Sequence, residues 1–301
     1  MVNFNERWIF KEDFMHYTGD IYRPHVEATT PMLEVTAGCS YNSCSFCTMY
    51  KKIPFSVTPK NILKADLEEL KNTSKYPIRR LLLLSGDPFC LSTHELMELA
   101  TLIRSYLPDL KTITCYASIL NIMNKSIEEL RELESYGYRE LHIGFESGYE
   151  KALKILNTGF EVKDIYQSLE KLQEANIEYH AIIMAGAAGK GTYKENVKEI
   201  IKVLEFYPPI TLSAYPTLIY EGTPLADLVK KNKYEESSQK EKILGQIQLL
   251  KEANLPDTCF YSGNFVFHLL PATAFFKDKN KLISEFENYL KNADPEILNS
   301  P

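Results

Sequence analysis

The stretch MLEVTAGCSYNSCSFC (residues 32–47) joins a short apolar run to a turn-rich loop that carries three of the chain's six cysteines. Its first part, MLEVTAG (residues 32–38), is typical of a buried β-strand, because the run is too short for a helix and ends in turn-forming residues. Cys39 follows this strand directly, and Cys44 and Cys47 come after gaps of four and two residues. The stretch therefore predicts a strand whose carboxyl end presents three thiols.

Five further short apolar runs of the same kind follow along the chain. Longer segments with apolar residues at helical spacing lie between them, as with Leu63, Leu67 and Leu70 in the first segment. This alternation predicts parallel strands joined by right-handed helical crossovers. The five runs are RRLLLLSG (79–86), TITCYAS (112–118), ELHIGFES (140–147), YHAIIMAG (179–186) and ITLSAYP (210–216).

The fold class that we predict is α/β, with six strand–helix units forming a partial (β/α)6 TIM-like barrel over residues 31–254. A barrel is favoured over an open dinucleotide-binding sheet because no glycine fingerprint follows the first strand. Residues 1–30 are assigned to an amino-terminal extension, and residues 255–301 to a carboxy-terminal cover segment and helix. Active sites of such barrels lie at the carboxyl ends of the strands, which is where Cys39 stands.

The composition is ordinary for a soluble globular protein, with 301 residues of which 45% are hydrophobic and 25% charged. The formal net charge is −6, so no overall basic field attracts a phosphate backbone, and a nucleic acid partner is not expected. No stretch approaches the roughly 20 apolar residues of a membrane span, and the amino terminus lacks the pattern of a signal peptide. We therefore predict a cytoplasmic protein without a membrane partner, in which thiols stay reduced.

Three explanations compete for the clustered cysteines, whereas Cys90, Cys115 and Cys259 are scattered and expected to be buried small residues. Three structural thiols are the first explanation, but free cysteines seldom crowd on a polar loop. A zinc site is the second, although structural zinc takes four ligands and the nearest histidine, His25, lies fourteen residues upstream of the loop. A [4Fe–4S] cluster held by three cysteines is the third, and it would leave one iron open to a substrate.

The loop resembles the cysteine signature of the radical S-adenosylmethionine (SAM) superfamily, in the variant with four rather than three residues in the first gap. Phe46 stands where that signature has an aromatic residue before its last cysteine. The wider stretch from IYRPHVEA (21–28) to IPF (53–55) resembles bacterial proteins of this superfamily that are distantly similar to the oxygen-independent coproporphyrinogen oxidases. The resemblance covers roughly residues 20–275 and implies the partial barrel of the radical SAM type.

The resemblance implies that Cys39, Cys44 and Cys47 hold a [4Fe–4S] cluster and that SAM binds to its open iron. An external electron donor, such as a flavodoxin or ferredoxin, would reduce the cluster, which cleaves SAM to methionine and a 5′-deoxyadenosyl radical. That radical would take a hydrogen atom from a small-molecule substrate under anaerobic conditions. Two alternatives stay open at this point, a non-catalytic iron–sulfur or zinc-binding protein that retains the fold and an enzyme that modifies RNA.

The resemblance also implies a SAM site built from the turns at the carboxyl ends of the strands. A glycine there lets the backbone approach the ligand closely, and a carboxylate suits the methionyl ammonium group. The implied contacts are Phe46 of the signature; Ser85, Gly86 and Asp87 at the methionyl amine; Ser118 as a polar group facing the ligand; Glu146 and Ser147 at the methionine or ribose part; Met184 and Gly186 at the adenine edge; and Tyr215 closing the adenine pocket.

Two features of the sequence fall outside this pattern. Relatives carry an arginine or lysine that pairs with the SAM carboxylate where this chain has Thr158. Two alternatives stay open: Lys154 or Lys190 replaces that residue, or the cluster iron holds the carboxylate without it. The aromatic-rich residues 255–277, which include His268, are expected to cover the open end or side of the barrel. They contain no second cysteine cluster, so an auxiliary iron–sulfur domain is not expected.

Overall fold

The structure is a computed structural model that describes residues 15–265 and 270–301. Short 3₁₀ turns occur at His25–Glu27, Pro88–Cys90 and Phe276–Asp278. The strands and helices, in chain order, are β1 (Met32–Glu34), β2 (Thr36–Ala37), β3 (Ser56–Val57), α1 (Lys60–Thr73), β4 (Arg80–Leu84), α2 (Thr93–Tyr106), β5 (Thr112–Ala117), α3 (Ile119–Met123), α4 (Ile127–Ser135), β6 (Tyr138–Glu146), α5 (Glu150–Leu156), α6 (Val162–Glu174), β7 (Glu178–Ala185), α7 (Tyr193–Phe206), β8 (Thr211–Pro216), α8 (Pro224–Lys230), α9 (Gln239–Glu252), β9 (Phe260–Phe265), β10 (Leu270–Phe275), α10 (Lys279–Asn292) and α11 (Pro295–Asn299).

Eight strands form one sheet in the order β1-β4-β5-β6-β7-β8-β9-β10. Neighbouring strands from β1 to β9 run parallel, and β10 returns antiparallel to β9. The six predicted strands are β1, β4, β5, β6, β7 and β8, and helices follow them in the predicted alternation. The predicted α/β barrel class is therefore confirmed, and two further strands extend the sheet.

The carboxy-terminal segment, which is predicted from the sequence to cover the barrel, contributes these two strands. β9 pairs with β8 from Phe260 opposite Thr211 to Gly263 opposite Ala214, and β10 forms the outer edge of the sheet. His268 lies outside the described residues, so its predicted place in a cover stays a prediction. The single predicted closing helix is divided into α10 and α11. Within residues 15–265 and 270–301, no helix is both long and apolar enough to cross a membrane.

The parallel sheet has an outer face packed against helices and an inner face that lines the barrel, because side chains alternate along a strand. Leu81 and Leu83 of β4 belong to the main core, which also contains the buried faces of the surrounding helices. Leu82 and Leu84 face the other way and form a separate inner group with Met32. The inner face is the one that a ligand entering from the strand ends would meet.

Candidate cofactor site

The cysteine loop begins where β2 and β4 end side by side. The Ser85 N–H donates a hydrogen bond of 3.0 Å to the Thr36 carbonyl, which ties the turn after β4 to the strand that leads into the loop. A Cβ on Gly86 would lie 1.9 Å from the Gly38 carbonyl oxygen and 2.8 Å from the Cα of Cys39. A glycine is therefore required at position 86 by the backbone of the cysteine loop itself, and its predicted contact with SAM stays a prediction.

Asp87 holds the loop at the next residue. Its Oδ1 accepts from the Ser40 N–H at 2.9 Å, and its Oδ2 accepts from the Ser40 hydroxyl at 2.5 Å and from the Asn121 amide at 3.4 Å. Burial raises the pKa of Asp87, and the hydrogen bonds from Ser40 and Asn121 oppose that rise. The carboxylate therefore fixes the backbone beside Cys39, and its predicted contact with the SAM amine stays a prediction.

The middle of the loop is tied to the carboxyl end of α5. The Ser45 N–H donates to the Leu156 carbonyl at 2.8 Å, and the Ser45 hydroxyl donates to the Ile155 carbonyl at 2.7 Å. The Tyr41 hydroxyl donates to the Asn157 carbonyl at 3.0 Å. Carbonyls at the end of a helix have no partner within the helix, so the loop satisfies them while the helix fixes the shape of the loop.

This anchoring gives the segment around Thr158 a structural role. Thr158 is 3% exposed, and its hydroxyl donates to the Phe160 carbonyl at 3.3 Å. A Cβ on Gly159 would lie 2.7 Å from the ring of Tyr41, so the segment packs directly against the cysteine loop. Thr158 therefore belongs, in this chain, to the segment that supports the loop.

The two lysines suggested as replacements are both exposed and both paired. The Lys154 ammonium lies 3.5 Å from the Glu150 carboxylate, one helical turn away. Lys190 forms an ion pair with Glu235. Exposed pairs of this kind are weak, so either lysine can exchange its partner, and the role predicted for them stays a prediction.

The three thiols of the loop interact with one another and with a neighbouring carboxyl group. Burial raises the pKa of Cys44 to about 12, and Glu146, Cys47 and Cys39 contribute to the rise. The Asn42 N–H donates to the Cys39 sulfur at 3.4 Å. A bound metal reverses such a shift, because a coordinating thiol is deprotonated outright.

The three thiols of the loop do not form a compact group of metal ligands. Among the residues that the structure describes, the only three Cys, His, Asp or Glu side chains whose ligand atoms all lie within 4.8 Å are Glu27, His142 and His180. Three thiols are also one ligand short of the four that a structural zinc ion takes.

Cys90 lies closer to the loop than its position in the sequence suggested. It is partly exposed, whereas Cys115 and Cys259 are buried as predicted. Burial raises the pKa of Cys90 to about 12, and a hydrogen bond with the Ser40 side chain opposes the rise. Cys90 therefore lies next to Ser40, the residue that follows Cys39. The turn after β4 leads to Cys90.

Glu146 ends β6 in the left-handed backbone region, with φ at 62°. The register between β6 and β7 shifts between Gly144 and Glu146. The Glu146 Oε1 lies 2.7 Å from the place a Cβ on Gly144 would take, so the side chain folds back over its own strand. Burial raises the pKa of Glu146 to about 8. Non-glycine residues held in this region are often found at functional sites, and the SAM contact of Glu146 stays a prediction.

Two predicted serines use their hydroxyls within the protein. The Ser147 hydroxyl donates to Asn196 Oδ1 at 2.6 Å and accepts from the Tyr149 N–H at 2.9 Å. Ser118 is the N-cap of α3, where its hydroxyl accepts from the Asn121 N–H at 3.2 Å. Both hydroxyls help to fix the strand ends, and their predicted contacts with SAM stay predictions.

The structure brings the predicted aromatic and adenine-edge residues together. Phe46 packs against the buried apolar cluster that contains Met184. Gly186 has φ at 80°, and a Cβ there would lie 3.0 Å from the Cβ of Ser237, which favours glycine on two counts. Tyr215 is partly exposed at the end of β8. Phe46 thus adjoins the apolar cluster of Met184, and the SAM contacts of Phe46, Met184, Gly186 and Tyr215 stay predictions.

Five polar residues inside the barrel form a group that was not predicted from the sequence. We call this group the floor cluster, and its members are Glu27, Arg80, Glu140, His142 and His180. The His142 Nε2 lies 3.0 Å from Glu27 Oε1, and the His180 Nε2 lies 2.9 Å from Glu140 Oε2. Arg80 pairs with both carboxylates. The two imidazoles stack with centroids 4.2 Å apart. The sequence does contain a signal for these residues. Polar residues stand at alternate positions of the runs ELHI (140–143) and EYH (178–180), and alternate positions of a strand face the same side of the sheet.

The floor cluster does not have the geometry of a metal site. Its imidazole planes meet at only 10°, so their in-plane lone pairs run side by side and do not converge on one point. Burial lowers the pKa of His142 to about 4, so the ring is neutral at pH 7 and its Nε2 carries the hydrogen that Glu27 accepts. Burial acts to raise the pKa of Glu140, but hydrogen bonds from His180 and Arg80 lower it to about 2.

Comparison with known proteins places these features in a family. The profile described as the Radical SAM superfamily matches residues 33–206, from the first strand to the end of α7. A tRNA uridine(34) acetyltransferase from Methanocaldococcus infernus is 26% identical over 120 residues, which cover 39% of this chain and 22% of that protein. The match therefore spans only a small part of that relative's length.

Solved structures share the chain path at low sequence identity. The archaeal Methanocaldococcus infernus Elp3 with an amino-terminal deletion has a TM-score of 0.55 at 14% identity, over 89% of this chain and 70% of that chain. Coproporphyrinogen III oxidase from Escherichia coli has a TM-score of 0.47 at 17% identity, over 67% and 51% of the two chains. Because the family profile covers more than half of the chain and includes the cysteine loop, this protein belongs to the radical SAM superfamily and is an enzyme that uses a [4Fe–4S] cluster and SAM.

Proposed function

We propose that Cys39, Cys44 and Cys47 hold the cluster and that SAM binds across the strand ends to serve a reaction on a small organic molecule. The observation that carries the proposal is a loop with three thiols, tied at Ser40 to the turn after β4 and at Ser45 to the end of α5. When bound, the cluster and SAM supply a 5′-deoxyadenosyl radical, which takes a hydrogen atom from the substrate.

The chain's own residues would orient SAM and exclude water. Phe46 and Met184 offer an apolar surface for the adenine. Glu146 folds back into the barrel, and no residue that the structure describes donates a hydrogen bond to its carboxyl group. That group is therefore available as an acceptor for the ribose or the methionyl amine. Since the fixed turn at Gly86 and Asp87 already supports the loop, the thiols need little rearrangement before the cluster binds.

A small substrate is supported by the residues near the strand ends. Three partly exposed residues of the inner face, Tyr116, Ile182 and Tyr215, lie on β5, β7 and β8. Binding sites for small molecules are concave and lined mainly by apolar and aromatic side chains. A molecule that fits between these residues would be shielded from solvent during the radical step.

The experiment that tests this function is an assay for 5′-deoxyadenosine. The protein is reconstituted anaerobically with iron and sulfide, then mixed with SAM and dithionite as the reductant. We expect 5′-deoxyadenosine from the unaltered protein and only background from Cys44→Ala. Equal amounts from both would overturn the proposal. An external electron donor such as a flavodoxin or ferredoxin is proposed in place of dithionite in the cell.

An RNA substrate is the second candidate, because a relative of this chain is named a tRNA uridine(34) acetyltransferase. Four exposed lysines follow the cysteines in the chain, namely Lys51, Lys52, Lys60 and Lys64. Each phosphate contact makes the slope of log binding constant against log salt concentration more negative by about 0.9. The test is tRNA binding by the unaltered protein and by two variants. Tight binding that weakens as salt is added, and that Lys52→Glu weakens further, would favour RNA over a small molecule. The control is Lys291→Glu on α10, which should leave the binding unchanged.

A further inference from the structure

Two buried histidines lie beside partly exposed residues on the inner face of the barrel. Tyr116, Ile182 and Tyr215 are partly exposed near the carboxyl ends of their strands. His180, two residues before Ile182, is 4% exposed, and His142, which pairs in register with both Tyr116 and His180, is 1% exposed. The rings of Tyr116 and His142 have centroids 5.6 Å apart, so a molecule that reaches Tyr116 from the strand ends would lie beside His142.

One ring nitrogen of this floor has no hydrogen-bond partner among the described residues. His142 gives its Nε2–H to Glu27, because an ionised carboxylate can only accept. The remaining nitrogen, Nδ1, carries a lone pair, and none of the described residues donates a hydrogen bond to it. His180 differs, since its Nδ1 lies 2.9 Å from the Thr211 hydroxyl and its Nε2 is paired as well. The floor thus offers one unused acceptor.

A second unpaired polar atom lies on the same inner face. The hydroxyl of Thr114, two residues before Tyr116 on β5, is buried without a hydrogen-bond partner. Buried polar atoms without partners are costly and rare in folded proteins. A buried ionic network is also seldom more stable than an apolar core of the same volume. The polar floor therefore calls for an explanation other than stability.

The unused lone pair of His142 indicates what the floor accepts. A lone pair on a neutral ring nitrogen accepts a hydrogen bond and cannot donate one. A hydroxyl or a protonated amine can supply the hydrogen, whereas an ionised carboxylate carries none. The floor therefore favours a donor group over a carboxylate at this depth.

We propose that His142 recognises the substrate by accepting, through Nδ1, a hydrogen bond from a hydroxyl or protonated amine at the substrate's buried end. This inference rests on the proposed function, because the other end of the substrate would then face SAM at the strand ends. Glu27 is the positioning residue, since its bond to Nε2 fixes the ring and leaves the lone pair on Nδ1.

The test compares three probes that share one ring: benzylamine, benzyl alcohol and benzoate. Their binding to the full chain is measured by ligand-observed NMR and by calorimetry at millimolar concentrations. We expect benzylamine and benzyl alcohol to bind and benzoate to bind at least about tenfold more weakly, the effect of one hydrogen bond to a charged or buried group. Benzoate binding as tightly as benzylamine, or no binding by any probe, would overturn the proposal without the use of any variant.

Variants then assign the effect to His142. We expect His142→Phe to weaken benzylamine binding at least about tenfold, whereas His94→Phe, at an exposed histidine of α2, leaves it unchanged. His142→Gln retains a donor for Glu27 and an acceptor, and should restore most of the affinity. Unchanged binding in a folded His142→Phe protein would overturn the proposal. The probes do not enter the 5′-deoxyadenosine assay, so the recognition role and the proposed function can fail separately.

Discussion

The carboxylate of Asp87 accepts hydrogen bonds from both the backbone N–H and the hydroxyl of Ser40, the residue that follows Cys39. The turn after the second parallel strand thereby fixes the loop after the first. Both oxygens of Asp87 are used in this contact, and the side chain is 3% exposed. The backbone beside Cys39 is therefore held in place by the protein itself.

Removal of this contact should loosen the cysteine loop. Asp87→Ala leaves two donors of Ser40 without their acceptor, which costs about 1–3 kcal/mol in the free energy of unfolding. We expect this loss in urea denaturation, together with a lower iron content after reconstitution. Asp87→Asn keeps an acceptor oxygen and should lose less of both. An unchanged midpoint and iron content in Asp87→Ala would show that the contact does not hold the loop.

Gly86→Ala tests the packing of the β4 turn against the loop. The added Cβ would lie 1.9 Å from the Gly38 carbonyl oxygen, and forced repacking of this kind costs about 1–3 kcal/mol. The matched control is Gly245→Ala in α9, where the Cβ would be 3.4 Å from Val197, an ordinary contact. The control should be neutral or gain up to about 1 kcal/mol, because alanine is the better helix former. Equal stability of the two variants would contradict this packing.

Single substitutions should separate the cluster ligands from the other cysteines. We expect Cys39→Ala, Cys44→Ala and Cys47→Ala each to lose most of the iron bound after anaerobic reconstitution, because three ligands already leave one iron open. Cys90→Ser is the most demanding control, since Cys90 hydrogen-bonds to Ser40 beside the loop, and it should retain the cluster. Iron loss in Cys90→Ser comparable with that in Cys44→Ala would make Cys90 a ligand.

The floor cluster predicts a loss of stability in mild acid. Burial lowers the pKa of His142 to about 4, so below the ordinary histidine value near 6.5 the unfolded chain binds a proton that the folded chain does not. Stability therefore falls as the pH drops from about 7 to 5, by about 2 kcal/mol from this group. Urea denaturation at the two pH values measures it, and His142→Gln should remove most of the difference. A pH effect of the same size in both proteins would contradict the assignment.

The strands and the cysteine loop were predictable because their signals are local. An apolar run that ends in turn residues marks a buried strand, and Cys39, Cys44 and Cys47 fall on a single loop after one of them. The place of Phe46 on that loop and of Met184 near the end of a strand followed from the same local signals. These features depend on short stretches of sequence and on the rule that parallel strands end at one edge.

The floor cluster could not be predicted in the same way. Glu27 and His142 are 115 residues apart in the chain, and the contact between them depends on where the amino-terminal segment lies. A single histidine in an apolar strand reads as an ordinary core residue. The structural roles of Gly86 and of the segment 158–159 were hidden for a similar reason. The close contacts of Gly86 with Gly38 and of Gly159 with Tyr41 arise only in the tertiary structure.

The central claim is that three cysteines hold a [4Fe–4S] cluster with one iron open to SAM. Its most direct test is the electron paramagnetic resonance spectrum of the reconstituted, dithionite-reduced protein before and after SAM is added, with iron and sulfide counted in the same sample. We predict about four irons and four sulfides per chain and a spectrum that changes when SAM binds. A protein that contains one zinc ion and no sulfide, or a cluster whose spectrum is the same with and without SAM, would contradict the account.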